Sequence, residues 1–180
     1  VTIFLLMLAM FTVRLIFLKK SINNEKAILA KGGQEFGVQN TKFLTLLHIM
    51  IYVFAVIEAL LKQIKFDGIS LLGLLLMLFS VAVLYEVTRI LGDIWTVKLM
   101  LAKDHKYVEH WLFKTVKHPN YFLNIAPELI GIVLLCHAQI TAMLLFPCYI
   151  IVIYLRIREE NKLLAEVIIP NGTHKNLKGD

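Results

Sequence analysis

The sequence predicts an all-α integral membrane protein of five transmembrane helices, the last two joined as a C-terminal helical hairpin, in a single domain over residues 1–180. Three observations carry this. The chain is 58% hydrophobic with a mean hydropathy of +0.72, whereas a soluble domain is about 45–50% apolar. The excess is gathered into five long runs. The basic residues stand between those runs and fall mostly on one side, as they do in polytopic proteins.

The first run, Val1–Leu18, is interrupted only by Arg14. It has no basic segment before it and no small-residue cleavage site after it, and Lys19 and Lys20 follow. That is the reverse of a signal peptide, so a retained span is expected. The second run is Phe43–Leu61 and the third about Ile69–Leu91, so residues 1–90 hold three N-terminal spans. The fourth and fifth, Tyr121–Leu135 and Ile140–Leu155, are separated only by Cys136, His137, Ala138 and Gln139, which predicts the hairpin. The fourth is short against the ~20 residues of a full span, and Pro127 is expected to kink it. Residues 165–180 read as a cytoplasmic tail, with Asn171–Asp180 a frayed end.

Orientation follows from lysine and arginine. The connection Lys19–Lys42 carries five, Arg89–Tyr121 six and the tail from Arg156 five, which places sixteen on one side against Lys62 and Lys65 on the other. The positive-inside bias puts the N-terminus outside, and puts the C-terminus with every large polar segment in the cytoplasm. The net charge of +6 therefore answers to membrane lipid rather than to nucleic acid, because no soluble basic face exists. Cys136 and Cys148 lie in apolar runs without CxxC or Cys/His spacing, so no metal site is expected.

Five ionisable residues fall within spans: Arg14, His48, Glu58, Glu86 and Glu128. Charges at membrane depth are costly, so each faces a partner or a polar cavity. Glu86 and Arg89, three apart on one helical face, are expected to pair locally.

Two polar stretches could carry chemistry. His105-Lys106-Tyr107-Val108 is followed after nine residues by His118-Pro119-Asn120-Tyr121. Pro119 suits the first turn of a helix, whose free N–H groups can receive a carboxylate, and Phe113 or Tyr121 could stack on a planar heterocycle. The same stretch also reads as an interfacial loop, with Tyr107, Trp111 and Tyr121 at headgroup level. At the end of the fifth run, Arg156 and Glu160 are four apart on one helical face. They suit either a ligand's carboxylate and polar groups or a solvated salt bridge.

Together these pieces resemble the isoprenylcysteine carboxyl methyltransferase family. The order is Leu91-Gly92-Asp93-Ile94-Trp95, then His105 and Val108, then Lys117-His118-Pro119-Asn120-Tyr121, a hairpin, and Arg156 with Glu160 and Leu164. The match runs over Leu91–Leu164, and Lys31–His48 is similar to the bacterial branch, some of whose members methylate small lipophilic polyketides. The resemblance implies S-adenosylmethionine as cofactor, bound in region 91–164 at the cytoplasmic boundary. It also implies that His105, Lys106, Tyr107, Val108, Phe113, His118, Pro119, Asn120, Tyr121 and Glu160 contact the cofactor, and that Arg156 positions the acceptor. Trp111 and Phe113 stand where the family usually has glycine and tyrosine, Lys98 where it often has glutamine, and Asn161 where a second acid is common. The implied reaction is methyl transfer to a carboxylate or hydroxyl of a lipophilic acceptor, a small lipid or polyketide being favoured. For a phenol or enol acceptor, His118 or Glu128 would be the candidate base. Methylation of a prenylated cysteine is the alternative, and a non-catalytic membrane scaffold that keeps the fold is the alternative of another class.

Overall fold

The computed structural model describes residues 1–102 and 110–168. In chain order these form α1 (Thr2–Ala30), β1 (Gln34–Phe36), α2 (Val38–Leu61), α3 (Gly68–Leu91), a 3-10 turn (Gly92–Ile94) and β2 (Leu99–Leu101). After these come α4 (Trp111–Thr115), a π-helical turn (Asn120–Ile125), α5 (Ala126–Cys136), α6 (Gln139–Leu163) and a second π turn (Leu164–Ile168). Four helices are long and apolar enough to cross a membrane: α1, α2, α3 and α6. Their outward faces carry large apolar side chains such as Leu8, Phe43, Leu75, Phe79, Leu144 and Ile151, which water would not tolerate and acyl chains cover.

The predicted fourth span is a shorter apolar helix, Asn120–Cys136, of roughly 25 Å against a hydrocarbon core of ~30 Å. Pro127 stands at the start of α5, where the π turn hands over to α-helical pairing. A residue without an N–H cannot make the ordinary bond four residues back, and a local widening of the helix accommodates it. The expected hairpin is also qualified. Only His137 and Ala138 join α5 to α6, but α5 packs chiefly on α3 and α6 on α2. The α3–α5 contact is close because both helices present glycine there. A Cβ on Gly73 would lie 2.3 Å from Leu135 N, and one on Gly131 would lie 2.7 Å from Gly73 O. Small residues let membrane helices approach backbone to backbone, and Ser70 Oγ adds a hydrogen bond to Leu135 O at 3.1 Å.

The intramembrane charges have distinct fates. Glu58 of α2 caps α6, accepting from Ile140 N (3.1 Å), Thr141 N (2.8 Å) and Thr141 Oγ1 (2.7 Å), and it pairs with Lys62 at 2.6 Å. Its negative charge thus sits on the positive end of the α6 dipole. Glu86 and Arg89 make the expected local pair at 2.7 Å. Glu128 is 1% exposed and accepts from Tyr52 OH at 2.6 Å. Arg14 Nε lies 2.8 Å from it, close enough for an ion pair but without hydrogen-bond alignment. His48 Nε2 lies 3.6 Å from the same carboxylate and its Nδ1 meets Tyr149 OH at 3.0 Å.

Helix α1 continues well past the predicted end of its span. Its buried residues change from Ile3, Met7 and Met10 to Ser21, Asn24, Glu25 and Ile28. This is one helical face that turns polar where the helix leaves the apolar layer, and there it meets the segment after α3. The strands β1 and β2 pair antiparallel beside it, Glu35 opposite Met100.

Candidate functional site

A cavity of about 290 Å³ opens between three stretches of chain: the end of α3 through β2, residues 117–121, and the end of α6. The first wall is held by α1. Asn24 Nδ2 donates to the carbonyls of Gly92 (3.0 Å) and Trp95 (2.7 Å), and Val97 N–H donates to Ser21 Oγ (2.9 Å). Lys98 lines the cavity and is anchored by Glu35 at 3.2 Å and Glu25 at 3.4 Å. The hydrogen bond to Glu35 is the main reason its ammonium is held above the usual lysine pKa. At the third wall, Gly37 precedes α2 with φ +61° and lies against the Glu159 side chain of α6. A side chain there would strain the left-handed backbone and strike the Glu159 carboxylate.

The second and third walls meet through one hydrogen-bonded network. His118 is 5% exposed; its Nδ1 meets Glu160 Oε1 at 3.1 Å and its Nε2 meets Asn161 Oδ1 at 3.0 Å. Tyr121 OH donates to Glu160 Oε2 at 2.7 Å and accepts from Arg156 Nε at 3.3 Å. Arg156 also donates to Thr41 Oγ1 of α2 and, at 3.0 Å, to the Val97 carbonyl. It is 3% exposed, and among the described residues no carboxylate lies within ion-pair distance of it. The site therefore has one buried guanidinium with no direct carboxylate partner among the described residues, linked through the Tyr121 hydroxyl to a carboxylate already bound by an imidazole and a phenol. The opposite wall is apolar, formed by Val87, Leu91 and Ile94.

Of the residues named from sequence, the structure gathers His118, Pro119, Asn120, Tyr121, Arg156 and Glu160 around this cavity. Arg156 and Glu160 share a helix face as their spacing requires, but the Tyr121 hydroxyl, not direct contact, links them. Pro119 directly precedes a π turn rather than an α-helix. His105, Lys106, Tyr107 and Val108 lie outside the described residues, and Phe113 is described only as backbone in α4. Sequence reasoning missed Thr41, the Val97 carbonyl and the α1 trio Ser21, Asn24 and Glu25. Of these only the trio left a signal, a polar 3–4 repeat continuing the face of Met7 and Met10.

Residues 71–166 match the isoprenylcysteine carboxyl methyltransferase (ICMT) family, a stretch that contains all three walls of the cavity. Over 155 residues the chain is 39% identical to an uncharacterized protein of Haemophilus influenzae, covering 86% of this chain and 90% of that one. Over 144 residues it is 30% identical to the uncharacterized protein YpbQ of Bacillus subtilis, covering 79% and 84% respectively. No solved structure matches. With its apolar helices and this match over more than half its length, the chain belongs to the isoprenylcysteine carboxyl methyltransferase family and is a membrane protein of methyltransferase type.

Proposed function

We propose that the protein transfers a methyl group from S-adenosylmethionine to an anionic oxygen, a carboxylate for preference, of a lipophilic acceptor dissolved in the membrane. The observation that carries this is Arg156. A guanidinium this deeply buried is costly unless an anion meets it, and its planar fork suits a carboxylate in two-point contact. An acceptor held there would have its reactive oxygen at the cavity and its apolar body among the helices.

The cavity residues fit the cofactor. Glu160 and His118 offer partners for hydroxyl or ammonium groups, and Val87, Leu91 and Ile94 offer an apolar wall to a planar heterocycle. When bound, the sulfonium would supply an activated methyl group for transfer to the acceptor oxygen, its bond to that methyl breaking to leave S-adenosylhomocysteine. A carboxylate is already ionised at neutral pH, so no base is needed. The work of Arg156 and its partners is alignment in a site shielded from water. The charge asymmetry of the sequence supports a cytoplasmic position for this site and the C-terminus. A small lipid or polyketide is favoured over a prenylated protein, because Lys31–His48 is similar to bacterial members of the family.

The test is calorimetric titration of purified protein with S-adenosylhomocysteine without added metal. It is followed by labelled methyl transfer onto a long-chain carboxylic acid, a hydroxylated polyketide-like lipid and a prenylated cysteine. Saturable binding with transfer to the first or second acceptor supports the proposal. A flat titration on folded protein rejects the cofactor, and transfer to the prenylated cysteine alone selects the alternative acceptor.

A further inference from the structure

A line of polar residues leaves the cavity wall and runs into the apolar core. Asn120, Asn124 and Glu128 are four apart and stack along the π turn and α5, with Asn124 and Glu128 buried. At the deep end, Arg14 of α1 sits against Glu128 with its Nε 2.8 Å from the carboxylate. From there its Nη1 donates to Asn124 Oδ1 at 2.7 Å, and its Nη2 donates to Ser80 Oγ of α3. Ser80 Oγ, having accepted, donates in turn to Asn124 Oδ1 at 3.2 Å. Asn124 Nδ2 then donates to Asn120 Oδ1 at 2.8 Å.

The polarity of this line is forced. A guanidinium has N–H donors and no acceptor, so the Asn124 atom facing Arg14 must be its oxygen. The nitrogen of Asn124 must therefore face Asn120, and the atom of Asn120 that receives it must also be oxygen. What remains is the Asn120 NH₂ group. Asn120 is half-buried and lines the cavity, and among the described residues nothing accepts from that NH₂. Reversing either amide would set N–H against N–H in a buried place, at the cost of an unmade hydrogen bond.

We propose that Glu128, Arg14 and Asn124 are positioning residues, which hold the Asn120 amide so that it presents an N–H donor to a hydrogen-bond acceptor on the bound cofactor. This rests on the cofactor reading above. It also accounts for an ion pair at membrane depth that packing alone does not require, since apolar side chains of similar volume hold helices together at least as well. Glu128 enters here with a part other than the base expected for a phenolic acceptor: its carboxylate is occupied by Arg14 and Tyr52.

Two near-isosteric variants test the polarity. In Asn124→Asp both oxygens accept, so Arg14 keeps its partner while Asn120 must turn its NH₂ inward and show its carbonyl to the cavity. In Asn120→Asp a carboxylate oxygen occupies the same point while Asn124 goes on donating to it. Both should weaken S-adenosylhomocysteine binding by about tenfold or more, the effect of meeting an acceptor with an acceptor. Asn124→Asp adds a second buried carboxylate at Arg14, so its midpoint is expected to shift, and the loss of affinity carries the test; the midpoint of Asn120→Asp, at the cavity wall, should stay close to the parent's. A purely structural role predicts for Asn124→Asp a changed midpoint with unchanged affinity, and that result overturns the proposal. If Asn124→Asp does not fold, Asn120→Asp decides alone: binding as tight as the parent's shows that no donor is wanted there and overturns it. A parent protein that fails to bind S-adenosylhomocysteine removes the cofactor reading and this inference together. Parental binding with both variants unchanged removes this inference only.

Discussion

Alanine at Glu160 and alanine at Arg156 should fail in different ways, because one carboxylate and one guanidinium share the Tyr121 hydroxyl between them. Glu160 accepts from Tyr121 OH at 2.7 Å and from His118 Nδ1 at 3.1 Å, with 27% of its side chain exposed. Glu160→Ala strands both donors on buried residues. A stranded buried donor costs ~1–3 kcal/mol, and cavity water relieves part of that, so a total of about 2 kcal/mol of stability is expected. If Glu160 also holds a polar group of the cofactor, affinity for S-adenosylhomocysteine falls by about tenfold or more. Arg156→Ala removes donors to Thr41, Val97 O and Tyr121 OH. It also removes a buried cation that has no direct carboxylate partner among the described residues, and the two effects offset one another in stability. Its loss should instead appear in turnover, by about a hundredfold or more, equivalent to ~2.7 kcal/mol of transition-state stabilisation, with cofactor affinity changed less than about threefold. Arg156→Lys should recover little, because an ammonium cannot reproduce the two-pronged contact. Calorimetry with S-adenosylhomocysteine and labelled methyl transfer on each variant separate these outcomes. The reasoning fails if both alanine variants bind and turn over like the parent, as for an exposed salt bridge worth ~0–1 kcal/mol. It also fails if Arg156→Ala loses as much cofactor affinity as Glu160→Ala.

Other consequences follow from the packing. Gly73→Ala places a Cβ against the α5 backbone and should destabilise the fold by ~1–3 kcal/mol, while alanine at Gly68, which meets nothing within 4 Å, should not; thermal unfolding in detergent compares the two. Glu58→Ala uncaps α6 and should cost roughly 2 kcal/mol, so an unchanged midpoint would count against the capping role. Single cysteines at Phe66 and Lys162, in a background without Cys136 and Cys148, should react from opposite sides of the membrane, and labelling from the same side rejects the topology. Lys98 has a raised pKa, so its contribution is complete below the unfolded value of about 10.4 and is lost as pH rises through the folded value. The stability gap between the parent and Lys98→Met should be constant to about pH 10 and close above it, and a gap that closes at neutral pH contradicts the Glu35 contact.

Hydropathy and lysine placement were enough to read helices, their order and an expected sidedness, because span length and the cost of burying charge in lipid act locally on each segment. The pair Glu86 and Arg89 was legible for the same reason: one helical turn sets its geometry. The motif residues His118, Asn120, Tyr121, Arg156 and Glu160 could be named from spacing and resemblance, but their connection could not. Tyr121 bridges Arg156 and Glu160 across a sequence gap that no helical period describes. Arg14 reaches Asn124 from the far end of the chain, and Glu58 caps a helix that begins about eighty residues later. The apolar run of α1 stops where its burial does not: beyond Leu18 the helix is held by hydrogen bonds to the segment after α3, and the residues that make them leave a polar 3–4 repeat rather than an apolar one in the sequence. Hydrogen-bond partners within a helix are set by a fixed rise and turn, whereas partners between helices depend on which faces pack. Between α3 and α5 that choice rests on the absence of a Cβ at Gly73 and Gly131, which lets the two backbones meet.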